Sequence, residues 1–395
     1  MLYHRRPLAG IALALTLAFG RASATAYEPA SDAEIVEQLP GGIDVRVDRT
    51  LRAMHALLAK RPDDLDVALR LAQAYVDRSR TLSDPRPLGQ AEAVLGPWWN
   101  DAEPPVPVLV LRATIRQSTH QFGPARADLE RALARDESNA QAWLTLSTVQ
   151  LVTGDLDAAR VACAHVEALS AASIGALCTA AIDGVGGRAQ AGYDRVAVVL
   201  ERGDFAANDR VRTWATTLAA ELAERLDRPV DAERWYRASL ALDPGDAYTL
   251  AAYADFLLDA QRPADVVALI AADTPVDNLL LRRALADRAL QAPDAASSTA
   301  ALAERFAALH ARGDRVHLRE EARYTLVLAG DADAALALAL DDWAIQKEPL
   351  DARIALESAI AAGRPRDADA IVEWIQRTRL EGTRLAALVR QVRSP

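Results

Sequence analysis

Aromatic side chains are scarce in this chain, at 5% of 395 residues, and lysine is nearly absent, since only Lys60 and Lys347 occur. Strands draw on aromatic and β-branched residues. A chain that is 51% hydrophobic but dominated by Ala and Leu therefore argues for many short helices rather than sheets. There are two cysteines and no C-x-x-C, which disfavours a redox-catalytic role. Neither H-E-x-x-H nor G-x-S-x-G occurs. The Gly-rich stretch at 184–188 follows no strand, so it reads as a turn and not as a phosphate cradle. His310 and His317 flank the turn Gly313-Asp314 and should sit on different helices. His317 with Glu320 and Glu321 could share a helix face, but the spacing matches no metal signature. Catalytic residues, a cofactor and a metal are accordingly not expected. The acid pairs Asp63-Asp64 and Asp341-Asp342 are expected at helix starts or turns, where carboxylates cap the positive dipole end.

No long apolar run is available for a membrane span. The run Leu8–Phe19 is too short to cross a hydrocarbon layer of about 30 Å as a helix. Arg5 and Arg6 precede it and Ala22-Ser23-Ala24 follows, the pattern of a secretory signal peptide over residues 1–24. Ala24-Thr25-Ala26 offers a second cleavage site. Removing Arg5, Arg6 and Arg21 with the leader takes the formal charge from −10 to −13. Such an acidic protein is a poor partner for nucleic acid or anionic lipid, both of which need a positive face. The expectation is an exported protein, periplasmic in a Gram-negative envelope or secreted, with no membrane insertion after cleavage.

What the chain does contain is a period. Trp143, Leu146, Ser147, Gly154, Ala159 and Cys163 recur about 34 residues earlier as Leu109, Arg112, Ala113, His120, Ala125 and Leu129. "ASLALDPGDAYTL" closes one unit and opens the next, with Ala232 and Tyr236 before it and Tyr253, Ala254 and Val266 after it. "LVLAGDADAALAL" and "SAIAAGRPRDADAIV" repeat a small-residue turn followed by an Ala-rich helix. Each unit reads as two antiparallel helices whose apolar faces cannot be buried within the pair, so stacked neighbours must share a core. Gly154-Asp155 falls where the first helix must stop, and Asp243-Pro244 marks a break between units.

These residues resemble the tetratricopeptide repeat family, most specifically over Asn139–Ala168 and Asp231–Leu258. The match is looser at Arg61–Leu95, where "TLSDPRPL" is expected to lengthen the inter-helix turn, and at 172–203 and 275–312. The resemblance implies an all-α superhelix of stacked hairpins. Its expected parts are an N-terminal cap or half repeat at 25–60, the array at 61–376 and a C-terminal capping helix at 377–395. It also implies a concave groove lined by the first helix of each unit. The positions facing it would be Gln73, Asp77, Thr114, Gln117, Gln141, Thr148, Glu221, Glu224, Asp255 and Asp259. A known variant of the family clamps a terminal carboxylate with Lys and Asn at such places. Amides, hydroxyls and acids stand here instead, which favours a neutral or basic partner segment.

Two local features stand apart. Cys163 and Cys178 lie at nearly equal distances from the turn expected near Ser170–Ala172, so an antiparallel pair of helices would bring them level for a disulfide. Trp98 and Trp99 sit in a Pro-rich connection, either as an aromatic hot spot or as a plug for a gap in packing. The function expected is a non-catalytic scaffold or adaptor that binds a protein of the cell envelope through its groove. The alternatives are a ligand-binding protein or enzyme whose site is assembled between distant repeats, and a self-associating structural subunit.

Overall fold

A computed structural model describes residues 45–203, 205 and 209–394. The expected signal peptide at 1–24, and the part of the expected cap before residue 45, lie outside the described residues. Twenty-one α-helices and no strand are present among the described residues. None of these helices is long and apolar enough to cross a membrane.

Helix α1 (Val45–Lys60) precedes a first hairpin of α2 (Leu65–Leu82) and α3 (Arg86–Val94), and the short α4 (Gly96–Trp99) follows it. Eight more hairpins come next. They are α5 (Val106–Ser118) with α6 (Phe122–Arg135), α7 (Ala140–Val152) with α8 (Leu156–Leu169), and α9 (Ala172–Val185) with α10 (Ala189–Arg202). The middle of the array holds α11 (Asp209–Arg225) with α12 (Pro229–Leu242), and α13 (Ala247–Asp259) with α14 (Pro263–Leu269). Then follow α15 (Asp277–Ala289) with α16 (Ala295–Ala311), α17 (Leu318–Tyr324) with α18 (Ala332–Ile345), and α19 (Pro349–Ala361) with α20 (Asp369–Thr378). A π-helical turn, Thr325–Ala329, extends α17, and α21 (Thr383–Arg393) ends the array.

One residue in each hairpin turn takes the left-handed conformation: Ser83, His120, Gly154, Gly187, Asp227, Gln261, Gln291, Gly330 and Gly363, with φ between 47° and 85°. This residue reverses the chain by breaking the helix while its neighbours satisfy the last carbonyls. At Gly154 the N–H of Asp155 reaches back to the Gln150 carbonyl at 2.8 Å, and the Asp155 side chain then caps α8 by accepting from Ala158 N. The helix faces follow from size. Ala113, Ala125, Ala159, Ala232 and Ala254 are fully buried, so backbones approach closely where they cross, and Leu and Tyr fill the spaces between hairpins.

Two local expectations are corrected. "TLSDPRPL" does not lengthen the turn. Thr81 and Leu82 extend α2, only Ser83–Pro85 turn, and Pro87 is accepted in the first turn of α3, where an amide hydrogen is not needed. Asp341 and Asp342 do not cap a helix start either. They lie in the last turn of α18, with Asp342 only 2% exposed, because the apolar residues around them carry the helix on to Ile345. Asp64 does cap α2, accepting from Val67 N.

The stack does not stay open. Its C-terminal hairpins dock against the turn side of the earlier ones and close the array into a ring. The Lys347 N–H donates to the Val152 carbonyl at 2.7 Å, and the Ala189 N–H donates to the Glu381 carboxylate at 2.6 Å. One hydrophobic cluster joins Leu156, Ile182 and Val185 to Trp343, Ile371, Trp374 and Leu385. Ile345 packs against the cluster of Phe122, Leu129 and Leu146. Gly154 and Gly187 make this seam possible. A Cβ on Gly154 would stand 2.9 Å from Lys347 Cδ, and one on Gly187 would stand 2.6 Å from both Cβ and the carbonyl of Arg379.

Candidate functional site

Inside the ring lies a cavity of about 1410 Å³. Its walls come mainly from the first helices of the hairpins, α2, α7, α9, α11, α13, α15, α17 and α19, together with the chain leading into α21. Six of the positions assigned to a groove line it: Asp77, Thr148, Glu221, Glu224, Asp255 and Asp259. The other four do not. Gln73 is exposed and donates to Asp77, and Gln141 is exposed and donates to Thr145. Thr114 is buried with its hydroxyl on the Val110 carbonyl, and Gln117 is half-buried near the end of α5.

Three of the five acids assigned from the register that line the wall already have cations. Asp255 accepts from Arg282 at 2.9 Å and from Arg323 at 2.5 Å. Burial opposes its charge, but the two guanidinium groups together hold it well below the usual carboxylate range. Asp259 accepts from Arg353 at 2.7 and 2.8 Å and from Arg384 at 2.7 Å. Asp77 meets Arg210 at 3.2 Å. These pairs tie α13 to α15, α17, α19 and α21, so the acids serve the ring before any partner arrives.

Glu221 and Glu224 differ. They lie one helical turn apart on α11 and have no salt bridge among the described residues. Tyr248 donates to Glu221 Oε1 at 2.6 Å, and Tyr236 donates to Glu224 Oε1 at 2.6 Å. Burial pushes both carboxyls up, Glu224 to about 8. Trp214, Phe256, Leu350 and Leu151 add apolar wall. Of these groups the repeat register assigns only the two glutamates to a binding face. Tyr236 stands in the sequence only as a repeat position, and the far wall, Lys347 to Arg353, carries no local signal.

The remaining candidates lie elsewhere. Cys163 and Cys178 form a disulfide between α8 and α9, with Cα atoms 5.7 Å apart, buried within the ring-closing cluster. Trp98 and Trp99 pack partly buried against the α2–α3 core. Arg112 and Arg116 lie over the Trp99 ring, while both also bond the buried Asp128. Glu321 faces His310 at 3.0 Å, so it is not gathered with His317.

No protein-family model and no curated protein matches the chain. Among solved structures, it is similar to a chain of the APC/C hetero-tetramer Cut9–Hcn1, with 11% identity, TM-score 0.44, and 89% of this chain and 60% of that one covered. It is likewise similar to yeast Tom70, with 11% identity, TM-score 0.40, and coverage of 88% and 85%. A tetratricopeptide repeat protein from Parabacteroides merdae has 11% identity, TM-score 0.32, and coverage of 87% and 100%. Likeness at this level carries no partner or activity with it. The chain is an all-α superhelix of stacked hairpins, similar to tetratricopeptide repeat proteins and closed around a central cavity.

Proposed function

We propose that this protein is a non-catalytic scaffold, exported to the cell envelope, that holds an extended segment of another protein in its central cavity. The observation that carries the reading is the wall itself, in which the first helices of hairpins far apart in sequence converge on one space of about 1410 Å³. An extended chain suits such a lining because it presents side chains on all sides to helices arranged around it. The buried disulfide supports the exported setting, since such bonds persist in oxidising compartments.

A photo-crosslinking residue placed at Thr148 or Leu350, inside the cavity, should capture polypeptide in cells. The same residue at Val161, which is 59% exposed and outside the cavity, should not. Equal capture from both places would refute the cavity as the binding face. A small ligand is the second reading, favoured by the closure of the ring, which gathers polar and apolar side chains around one space. It would appear as saturable thermal stabilisation by a small molecule with no crosslinked polypeptide.

A further inference from the structure

The cavity wall is electrostatically uneven, and the unevenness has a chemical meaning. Asp77, Asp255, Asp259, Glu320 and Glu348 each lie within 4.0 Å of an arginine nitrogen of the chain itself. Glu221 and Glu224 do not. Each spends one oxygen on a tyrosine hydroxyl, and each second oxygen, Oε2, has no hydrogen-bond partner among the described residues. Around them stand rings. Phe256 lies 6.0 Å from Tyr236, and Tyr248 is 61% exposed although its hydroxyl is engaged. In the same wall the side-chain oxygen of Asn278 is buried without a donor. Tyr236 itself is buried and stacked on Tyr253, so the ring surface on offer is that of Tyr248 and, in part, Phe256. Acceptors lacking donors beside such rings match a cation on an apolar stem, which gains from carboxylate and ring together.

Resting on the reading of the cavity as a polypeptide site, we propose that Glu221 and Glu224, with Tyr236, Tyr248 and Phe256, form the socket for one arginine or lysine side chain of the bound segment. A guanidinium between the two glutamates would engage oxygens that the empty protein leaves open. Its stem would lie along Tyr248 and Phe256, while the buried Tyr236 holds Glu224 in place through its hydroxyl.

The socket also predicts proton linkage. The groups facing Glu224 are Glu221, Asp259, Tyr236 and Arg225, and those facing Glu221 include Glu348, Tyr248 and Arg225. With burial dominant and one cation among them, Glu224 stays protonated in the empty site until about pH 8. A bound cation favours the ionised form, so binding releases a proton. Affinity should rise by up to about tenfold per pH unit towards pH 8 and then flatten.

The test uses the full chain and three blocked pentapeptides: Ala-Ala-Arg-Ala-Ala, its citrulline counterpart of the same shape without charge, and its glutamate counterpart. Calorimetry is run from pH 6 to 9 and in buffers of different ionisation enthalpy. The arginine peptide should saturate, bind at least about tenfold more tightly than citrulline, and release a proton. Glu221→Gln and Glu224→Gln should each lose that preference while keeping or raising the melting temperature, because a neutral amide replaces a carboxyl that burial already disfavours as an anion. Equal binding of arginine and citrulline peptides would overturn the socket and leave the segment reading standing. Arginine binding untouched by both Gln variants would overturn it by placing the cation elsewhere. Failure of all three peptides would overturn it too, and crosslinking from Thr148 would then decide whether the segment reading survives.

Discussion

Replacing Gly154 with alanine perturbs the seam of the ring at one atom. Gly154 has φ of +85°, and an added Cβ would stand 2.9 Å from Lys347 Cδ and 3.1 Å from Trp374 Nε1. Two costs arise. The left-handed backbone costs an L-residue roughly 1–2 kcal/mol. Lys347 is flexible and gives way, but Trp374 is locked in the cluster with Trp343, and forcing a methyl against it costs roughly 1–3 kcal/mol. Gly363 supplies the control. It occupies the same position of its hairpin with φ of +64°, yet a Cβ there meets nothing within 4 Å. Gly363→Ala should therefore pay only the backbone cost. Urea unfolding followed by circular dichroism, with tryptophan fluorescence as a second probe, should show Gly154→Ala less stable than Gly363→Ala by roughly 1–3 kcal/mol. Equal losses would mean that the C-terminal hairpins do not press on this turn, and the ring would fall with the reasoning.

Other outcomes follow from the same contacts. Alkylation without reductant should find no free thiol, and Cys163→Ala with Cys178→Ala should lose about 3 kcal/mol, the chain-entropy value for a loop of 15 residues. Asp342 is pushed up to about 9 by burial and by the carboxylate of Asp351 beside it. Because it stays protonated when folded but ionises near the usual carboxylate range when unfolded, its contribution to stability is full below about pH 4 and is lost as pH rises through about 9. Denaturation between pH 5 and 9 should therefore slope downward, and Asp342→Asn should flatten the slope; an unchanged slope would refute this. Asp255→Ala leaves Arg282 and Arg323 buried without their carboxylate and should cost roughly 3–5 kcal/mol in the same unfolding assay. A loss under 1 kcal/mol would show that another acid takes over.

The repeat was legible because its signals are local. A small residue, a left-handed turn and a proline each act within a few residues, which is why α7 and α8 end and begin at Gly154-Asp155 and why Cys163 and Cys178 face each other across Ser170. The closure was not legible, for a physical reason. It depends on the curvature summed over hairpin after hairpin, and no residue near Lys347 records that its amide will meet Val152. The same applies to the cavity. Glu221 and Asp255 could be assigned a face from register, but only the assembled ring reveals that arginines already occupy one and not the other. Asp341-Asp342 misled because an acid pair usually marks a helix start, whereas Asp342 is held by its partners Gln346, Asp351 and Arg319 on neighbouring turns and helices.

A stack of hairpins ordinarily has two loose ends, and it frays inward from them because an end unit has a neighbour on one side only. Joining the last hairpins to the second, third and fourth turns this row into a hoop. Within the hoop no unit is terminal, so the first part of the chain that a protease reaches should be α1–α3, which the seam does not include and which, among the described residues, only the Asp77–Arg210 pair ties across the cavity, while everything from α5 onward resists and then yields together. The amide of Lys347 and the carboxylate of Glu381 thus act as a clasp, and the loss of that clasp would return the protein to the behaviour of an open row.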